Sequence, residues 1–423
     1  MREMKDSGIE WVGTIPQDWQ LSKIGSLYTQ RNEKVSDKDY QPLSVTMQGI
    51  LPQLATAAKT DDGDNRKLVR VGDFAINSRS DRRGSCGISP LDGSVSLINI
   101  ILTPRTAMHP GYYNWLFHTT LFADEFYKWG HGIVADLWTT RWQEMKSITV
   151  PVPEYAEQER IAAFLNAECA EIDAVLEKTR ASIEEYKKLK QAVITQAVTK
   201  GIRGDRPMKN SGIEWIGDIP AEWEIRKIFR AINKVGDIDH YMPDSVDDGI
   251  PYLMTGDLQE KLSDVNLKHC KKVSFQDYEM LSSKIRVSKG DVIFARYATI
   301  GTVCFVDTED NILVSYACLI IKPNSSLLYG EFLFYYLKST AFLEEIKQYI
   351  KANTQANVGL DSVSKAKIAL PSVHEQQKIV EYLRDKCKKI DALIAKKQQY
   401  LTEIENYKKS LIYEYVTGKK EVV

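Results

Sequence analysis

Apolar residues recur at alternating steps of three and four positions in two stretches of the chain, one near its middle and one at its end. This spacing keeps the apolar side chains on one face of a helix, as the seam of a coiled coil requires. The first predicted seam consists of Ile161, Leu165, Ile172, Val175, Thr179, Ile183, Tyr186, Val193 and Ala197. The second consists of Ile379, Leu383, Ile390, Leu393, Lys397, Leu401, Ile404, Leu411 and Tyr415. We predict that the two helices pair; the alternative is that each docks on its own domain.

The linker after the first helix predicts how this pair is oriented. Only GIRGDRP separates the end of the helix, near Lys200, from the segment that starts at Met208. The next domain must therefore begin at the far end of the first helix, and the second helix pairs most easily by running back along it. Two antiparallel helices of about 44 residues would span roughly 65 Å. We expect globular domains at opposite ends of this rod, related by an approximate twofold axis.

The globular parts of the sequence also repeat. MKDSGIEWVGTIPQDW, from Met4 to Trp19, returns as MKNSGIEWIGDIPAEW, from Met208 to Trp223. VPEYAEQERIAAFLN, from Val152, matches LPSVHEQQKIVEYLR without a gap, and both lead into an Ile-Asp pair. The segments between these motifs diverge, although VGDFAINSR is echoed by KGDVIFARY, each typical of a turn followed by a buried strand. The pattern indicates an internal duplication that carries two different inserts.

Composition and charge limit the possible functions. The chain has 423 residues, 43% of them hydrophobic, and a formal net charge of −1. Any positive charge that attracts nucleic acid must therefore be local or come from a partner. The sequence has no apolar run long enough to span a membrane and no apolar signal region, so we expect a cytoplasmic protein. The six cysteines form no C-x-x-C pair and the histidines are dispersed, so no metal site is predicted.

Together these motifs resemble the DNA-specificity subunit of type I restriction-modification systems, over the full chain and in the same order. The resemblance rests on the two S-G-I-E-W-x-G-x-I-P openings, the two P-x-x-x-E-Q segments before the I-D helices, and V-T-G-K from Val416. The first helix departs from this pattern because it ends V-T-K-G, from Val198.

The resemblance implies an α+β fold with two globular target recognition domains separated by a long antiparallel two-helix coiled coil, with a pseudo-twofold internal repeat. The target recognition domains would be residues 1–152 and 204–370, and the helical spacers residues 153–203 and 371–423.

The resemblance also implies a non-catalytic subunit that recognises a bipartite, asymmetric target in double-stranded DNA. It would bind two adenine-N6 methyltransferase subunits and the restriction subunits. No cofactor is expected in this chain, whereas the partner subunits would use S-adenosylmethionine, ATP and Mg²⁺. The sequence agrees, because it contains neither an N-P-P-[FY] methylation motif nor a phosphate-binding loop. Pro243-Asp244 and Glu345-Ile346-Lys347 formally match a nuclease signature but lie too far apart to form one.

Polar, arginine-containing loops are the candidates for DNA contact, because phosphates and base edges both favour such side chains. In the first insert, NSRSDRRGS follows a predicted strand and contributes the candidates Arg79, Ser80, Arg82 and Arg83. A solvated loop that is salt-bridged through Asp81 is the alternative. The corresponding candidates of the second insert are Arg296, Tyr297 and Thr299.

A second pair of polar loops precedes the two helices, starting at Gly130 and Lys351. The later loop contributes the candidates Thr354, Gln355 and Asn357. Trp138 and Trp142 of the earlier loop are expected to pack in the core. We expect Trp11, Trp19, Trp215 and Trp223 to anchor the opening segments. A solvated helix face is expected for Lys187, Lys188, Lys190, Lys408 and Lys409.

Two other classes of function stay open at the level of sequence. One is a structural adaptor whose coiled coil assembles other proteins while the inserts bind protein. The other is an RNA-binding module, although the aromatic-rich strand signature of the usual RNA folds is not apparent. Steep weakening of binding with salt would indicate nucleic acid, because bound cations release counterions.

Overall fold

The computed structural model of the protein describes residues 2–53, 62–132, 138–297, 299–349 and 357–422. The chain forms two compact units, one consisting of Met1–Arg180 with Gln399–Val423 and the other of Ala181–Gln398. Each unit contains part of both long helices. The division of the sequence into two recognition domains and two helical spacers stays a prediction.

The first half of the chain supplies thirteen strands and five helices among the described residues. Its elements are β1 (Met4–Asp6), β2 (Thr14–Pro16), β3 (Gln20–Lys23), α1 (Ile24–Leu27), β4 (Tyr28–Arg31), β5 (Lys34–Val35), β6 (Leu43–Thr46), β7 (Gly49–Pro52), β8 (Arg66–Val69), β9 (Phe74–Asn77), β10 (Cys86–Ile88), β11 (Gly93–Val95), β12 (Asn99–Pro104), α2 (Pro110–Phe117), α3 (Thr120–Lys128), α4 (Trp142–Met145), β13 (Thr149–Val152) and α5 (Tyr155–Lys200).

The second half follows a similar plan, with eleven strands and five helices among the described residues. Its elements are β14 (Met208–Asn210), β15 (Asp218–Pro220), β16 (Glu224–Lys227), β17 (Ile232–Gly236), β18 (Ile250–Leu253), β19 (Lys271–Val273), α6 (Phe275–Ser282), β20 (Val292–Ala295), β21 (Val303–Phe305), β22 (Leu313–Val314), β23 (Cys318–Pro323), α7 (Gly330–Lys338), α8 (Thr340–Lys347), α9 (Leu360–Lys365), β24 (Lys367–Leu370) and α10 (Val373–Val416). None of the described helices is long and apolar enough to cross a membrane.

The two inserts share a sheet even though their sequences diverge. The first unit has a four-stranded sheet in the order β10-β9-β12-β4, and the second has β21-β20-β23-β17, with antiparallel pairing throughout both. The echoed Gly-Asp turns come directly before β9 and β20, the inner strands of these sheets. Gly72 and Gly290 have φ values of +88° and +90°, which only glycine adopts without strain. The duplication therefore extends into the inserts.

The opening motif of each half is fixed by a tryptophan and an arginine. Trp19 donates its indole N–H to Glu157 at 2.9 Å, and Arg2 pairs with the same carboxylate while its guanidinium lies 5.7 Å from the indole centre. In the second unit, Trp223 donates to Glu375 at 3.1 Å, and Arg206 takes the place of Arg2. The glutamate of each E-Q motif thus binds the opening motif of its own half.

The glutamine of each E-Q motif joins two backbone segments. The Gln158 amide donates to the carbonyl of Pro153 and accepts from the N–H of His109 just before α2, at 2.8 and 2.9 Å. Gln376 makes the equivalent bonds to Pro371 and to Tyr329, just before α7. Both amides are buried, where an unpaired polar group would cost free energy. The motif therefore fixes the start of each long helix against its own domain.

The end of each long helix packs against the opening motif of the other half. Gly418, with φ of +70°, follows α10 and lies so close to the first opening motif that a Cβ there would be 2.5 Å from Pro16 and 3.0 Å from Trp19. Gly201, with φ of +73°, follows α5 and lies close to Trp223. The one-residue difference between V-T-G-K and V-T-K-G is accommodated because each helix ends at its own glycine.

The long helices pair antiparallel within each unit. In the first unit, Lys408 Nζ lies 2.6 Å from Asp173, and Arg180 lies 2.6 Å from Glu405. In the second unit, Lys190 Nζ lies 2.8 Å from Asp391. The two aspartates are those of the Ile-Asp pairs. The sequence predicted a solvated face for Lys190 and Lys408. Instead, each makes an ion pair with the facing helix.

The predicted seam residues are turned inward, with two exceptions. The buried or half-buried seam residues include Ile161, Leu165, Ile172, Ile183, Ile379, Leu383, Ile390 and Leu401. Val175 and Leu393 are 39% and 44% exposed, and their neighbours Leu176 and Ile394 face inward instead. From Ile172 and Ile390 onward, the inward-facing residues follow a seven-residue repeat, so the interval after each of these isoleucines is four residues, where the prediction used three.

Each unit has its own apolar core beneath the sheet. In the first unit, Trp11 and Trp19 join a cluster of aromatic side chains from α2 and α3, together with Leu411 and Val416 of α10. In the second unit, Trp223 is fully buried and Trp215 packs against the cluster. These tryptophans anchor the opening segments. Each unit combines helices with mainly antiparallel sheets, β18 and β22 being a parallel pair, which is the α+β arrangement expected.

Candidate nucleic-acid interface

The first candidate loop follows β9 and carries three arginines at the surface. Arg79 lies 3.2 Å from Asp81, and Arg82, with 68% of its side chain exposed, lies 3.8 Å from the same carboxylate. Arg83 pairs with Asp124 of α3. The salt-bridged loop considered as the alternative is therefore present. Exposed pairs of this kind contribute only about 0–1 kcal/mol, so a phosphate can replace the carboxylate at little cost.

The second candidate loop of the first unit lies directly against this one. Arg79 and Thr139 form an antiparallel bridge, Ser80 N–H donates to the carbonyl of Trp138 at 2.9 Å, and Thr140 N–H donates to Ser78 at 2.9 Å. Two segments that are separated by about sixty residues of sequence thus share one surface. The prediction that Trp138 packs in the core is wrong, because its side chain is 39% exposed, whereas Trp142 does pack against the core.

The second unit repeats this pairing at equivalent positions. Tyr297 and Asn357 form an antiparallel bridge, and Val358 N–H donates to the carbonyl of Arg296 at 3.1 Å. Asn357 and Thr299 are exposed, and Tyr297 is half-buried. The candidates Thr354 and Gln355 lie outside the described residues. In both units, the segment after the inner strand therefore meets the loop that precedes the long helix.

Arg296 occupies a different environment from the other candidate arginines. Its side chain is 10% exposed and pairs with Asp237 at 2.6 Å. It also donates to the carbonyl of Tyr316 at 3.3 Å and lies 3.2 Å from His240 Nε2. In this position, the guanidinium holds the loop in place from inside the domain. It does not face solvent, where the sequence suggested a DNA contact.

Sequence reasoning missed the partners of Arg296. His240, 60% exposed, stacks on Tyr316 with ring centres 4.7 Å apart, and the Arg296 guanidinium lies 4.9 Å from the Tyr297 ring centre. The run of acidic residues and histidine after β17 was the available signal. Above the buried Arg296, the side chains of His240, Tyr297, Tyr316 and Asn357 form a polar and aromatic surface, which offers both base-edge hydrogen bonds and stacking.

Metal-ligand clusters and cysteine thiols are the remaining candidates for chemistry among the described residues. Within them, no group of three or more potential ligand side chains lies close enough together to hold a metal ion. All six cysteines are free thiols, and five of them are buried. Burial raises the pKa of Cys86, Cys304 and Cys318 to about 12, so these thiols are poor nucleophiles at neutral pH.

Comparison with known proteins gives consistent matches. Residues 220–406 match the family model of the type I restriction modification DNA specificity domain. The EcoBI specificity subunit of Escherichia coli is 23% identical over 282 residues, which are 65% of this chain but only 59% of that protein. The MjaVIII specificity subunit of Methanocaldococcus jannaschii is 24% identical over 431 residues, covering 96% of this chain and 94% of that protein.

A solved structure shares the fold over nearly the whole chain. It was determined in work on complex assembly and conformational transition of the type I R-M system. The TM-score is 0.72 at 14% identity, and the match covers 96% of this chain and 99% of that chain. At this level of identity, the likeness establishes a common architecture.

Proposed function

Because this chain belongs to the specificity subunits of type I restriction-modification systems, we propose that it recognises a two-part, asymmetric DNA sequence without a catalytic site of its own. Each unit reads one block of the target, and the two blocks differ because the two inserts differ. The protein directs methyltransferase and restriction subunits to that sequence.

The pairing of candidate loops at equivalent positions is the observation that carries this proposal. In the first unit the pair is Arg79 and Thr139, and in the second it is Tyr297 and Asn357. The backbone is alike in both units, whereas the side chains differ. A duplicated scaffold that presents different side chains at the same place is suited to reading two different half-sites.

The side chains at this surface match what duplex DNA offers. Arg79 and Arg82 can exchange their exposed carboxylate partners for phosphates or for the acceptors on guanine, and Asn357 can bind the edge of adenine. The local cations are largely balanced by carboxylates, in keeping with a net charge of −1. Tight binding therefore depends on the complete complex, in which partner subunits add contacts to the duplex.

The chemistry belongs to the partner subunits in this proposal. A methyltransferase must take adenine out of the base stack, while the specificity subunit holds the duplex in register. S-adenosylmethionine, ATP and Mg²⁺ would bind to the methyltransferase and restriction subunits, and the complex would act in the cytoplasm. This chain contributes the choice of sequence.

Co-expression with the cognate methyltransferase subunit tests the function directly. Methylated adenines are then mapped across the DNA by single-molecule sequencing. We expect one motif made of two short, different blocks around a fixed gap. The same methyltransferase expressed without this chain is the control and should leave no such motif.

A negative result would be informative if the complex forms. Suppose that the chain forms a stable complex with the methyltransferase subunit, and that this subunit is active in a separate assay. The lack of any methylated motif would then contradict DNA recognition. That outcome would favour the adaptor function, in which the inserts bind protein.

A further inference from the structure

A cavity of about 390 Å³ in the second unit is lined largely by cations and hydroxyls. Its lining residues are Lys234, Ser282, Ser283, Lys284, Ile285, Arg286, Ser288 and Lys322. None of these side chains was selected from the sequence, and none belongs to the loops described above. We propose that this cavity, the basic pocket, binds a phosphate group.

Two lysines of the basic pocket lie directly opposite each other on neighbouring strands. Lys234 of β17 is the register partner of Lys322 of β23, so both side chains point to the same face of the sheet. Like charges in this position destabilise a sheet unless something neutralises them. Lys322 is neutralised by Asp291 at 2.5 Å. Lys234 has no carboxylate partner among the described residues and donates only to the carbonyl of Lys284, at 2.6 Å.

A buried hydroxyl at the pocket lacks a hydrogen-bond partner. Ser282 is 3% exposed, and its Oγ has no partner within the described part of the chain. Leaving such a group unpaired in the interior is unfavourable. A phosphate oxygen accepts hydrogen bonds from both hydroxyl and ammonium groups, so one ligand would satisfy Ser282 and neutralise Lys234.

The basic pocket is also connected to the candidate DNA surface. Lys284 Nζ lies 3.4 Å from Asp237, and Asp237 in turn holds Arg296, whose backbone carries the loop that faces Asn357. Arg286 pairs with Glu279 at 2.8 Å. A chain of contacts therefore links the pocket to the loop that faces Asn357, and a phosphate of the DNA backbone is one source of the ligand. Inorganic phosphate has the same chemistry and is the other possible source.

The first arm of the test uses inorganic phosphate and the full-length chain. At about ten times its dissociation constant, phosphate should raise the melting temperature by roughly 3 °C relative to chloride of equal ionic strength. Lys234→Gln and Ser282→Ala should remove most of this rise. Ser282→Ala should not lower the melting temperature in chloride, because the lost hydroxyl has no partner there and its removal relieves the cost of burying it. Lys347→Gln, an exposed lysine of α8 outside the pocket, is the matched control and should keep the full rise.

The second arm rests on the proposed function and uses the complex with the methyltransferase subunit. If the source is DNA, Lys234→Gln should reduce the slope of log affinity against log salt by about one unit, and Lys347→Gln should leave it unchanged. If phosphate instead raises the melting temperature of the wild type but not of the two pocket variants, while the salt slope of DNA binding stays unchanged, the result supports the pocket with free phosphate as its ligand.

Two results would contradict phosphate binding in the basic pocket. One is a wild-type protein that phosphate does not stabilise, with equal salt slopes for all variants. The other is a stabilisation that both pocket variants retain, which would place the phosphate elsewhere. Because the first arm needs no DNA, it can succeed or fail independently of the methylation experiment.

Discussion

Gly418 and Gly212 both have φ near +70°, but only the first is tightly enclosed. Gly418→Ala should cost about 1 kcal/mol for the left-handed backbone and about 1–3 kcal/mol more for overlap with Pro16. Gly212→Ala should cost the backbone term alone, since nothing lies within 4 Å of its added Cβ. Urea denaturation followed by circular dichroism measures both losses. Equal losses would show that the close packing of Gly418 contributes nothing.

Glu345 links pH to the stability of the second unit. Burial raises the pKa of its carboxyl group above the usual 4.5, although the carboxylate accepts hydrogen bonds from Lys367 N–H and Trp215. The folded protein therefore holds this proton at a pH where the unfolded chain has lost it. Stability supplied by this group is present below pH 4.5 and is lost as pH rises through the raised pKa.

Glu345→Gln should remove this pH-dependent loss. Denaturation of the wild type and the variant is measured from about pH 4 upward, where the difference between their unfolding free energies should shift in favour of the variant as pH rises. Parallel curves would show that burial does not penalise the carboxylate. Circular dichroism at each pH verifies that both proteins are folded at the start of the titration.

The helix pair offers two matched ion pairs whose surroundings differ. In the first pair, Asp173→Lys or Lys408→Asp alone should lower the free energy of unfolding, and the double variant should restore it. The coupling energy between the two substitutions should be about 0.5–1 kcal/mol. The same exchange at Asp391 and Lys190 should restore less, because Lys190 also contacts Glu260 at 3.1 Å and an acid in its place would face that carboxylate.

Thermal unfolding of the four single and two double variants measures these couplings. Equal recovery at both pairs would mean that Glu260 does not contribute to the stability of the second unit. The pKa of Lys190 indicates that Glu260 does contribute. Burial lowers this pKa, but Asp391 and Glu260 together outweigh burial and raise it.

The elements that follow from local sequence were the ones predicted well. The helices, the opening motifs and the echoed Gly-Asp turns each depend on residues close together in the chain. The common order of the two four-stranded sheets was not predictable, because strands such as β4 and β12 pair across about seventy residues and nothing in the local sequence of either strand selects its partner. Val175 was misplaced for a local reason, since a spacing of three or four is equally helical and only burial decides between them.

Only part of the candidate surface could be predicted, because local sequence shows the loops but not the long-range contacts between them. Polar loops rich in arginine are visible in the sequence, but their adjacency depends on long-range bridges between the segments after β9 and β20 and the loops at Thr139 and Asn357. The interior position of Arg296 depends on Asp237, fifty-nine residues earlier in the chain. A charge that has a buried partner so far away cannot be distinguished from a surface charge by sequence alone.

At the scale of the whole molecule, the proposed function makes the two halves separately mutable. Arg82→Ala should change or relax the bases required in one block of the methylated motif and leave the other block and the gap unchanged. Asn357→Ala should affect only the other block. Methylome maps of the two variants measure this, and Lys347→Gln serves as the control. An effect of either variant on both blocks would contradict one block per unit.

The first unit is discontinuous, because residues 399–423 complete it and Leu411 and Val416 belong to its core. The second unit is a continuous segment, from Ala181 to Gln398. During synthesis, residues 1–180 must therefore wait for residues 399–423 before their core can close. The second unit can fold while the first is still incomplete, and until residues 399–423 have left the ribosome, Tyr112 lacks the carbonyl of Val416 that accepts its hydroxyl hydrogen bond.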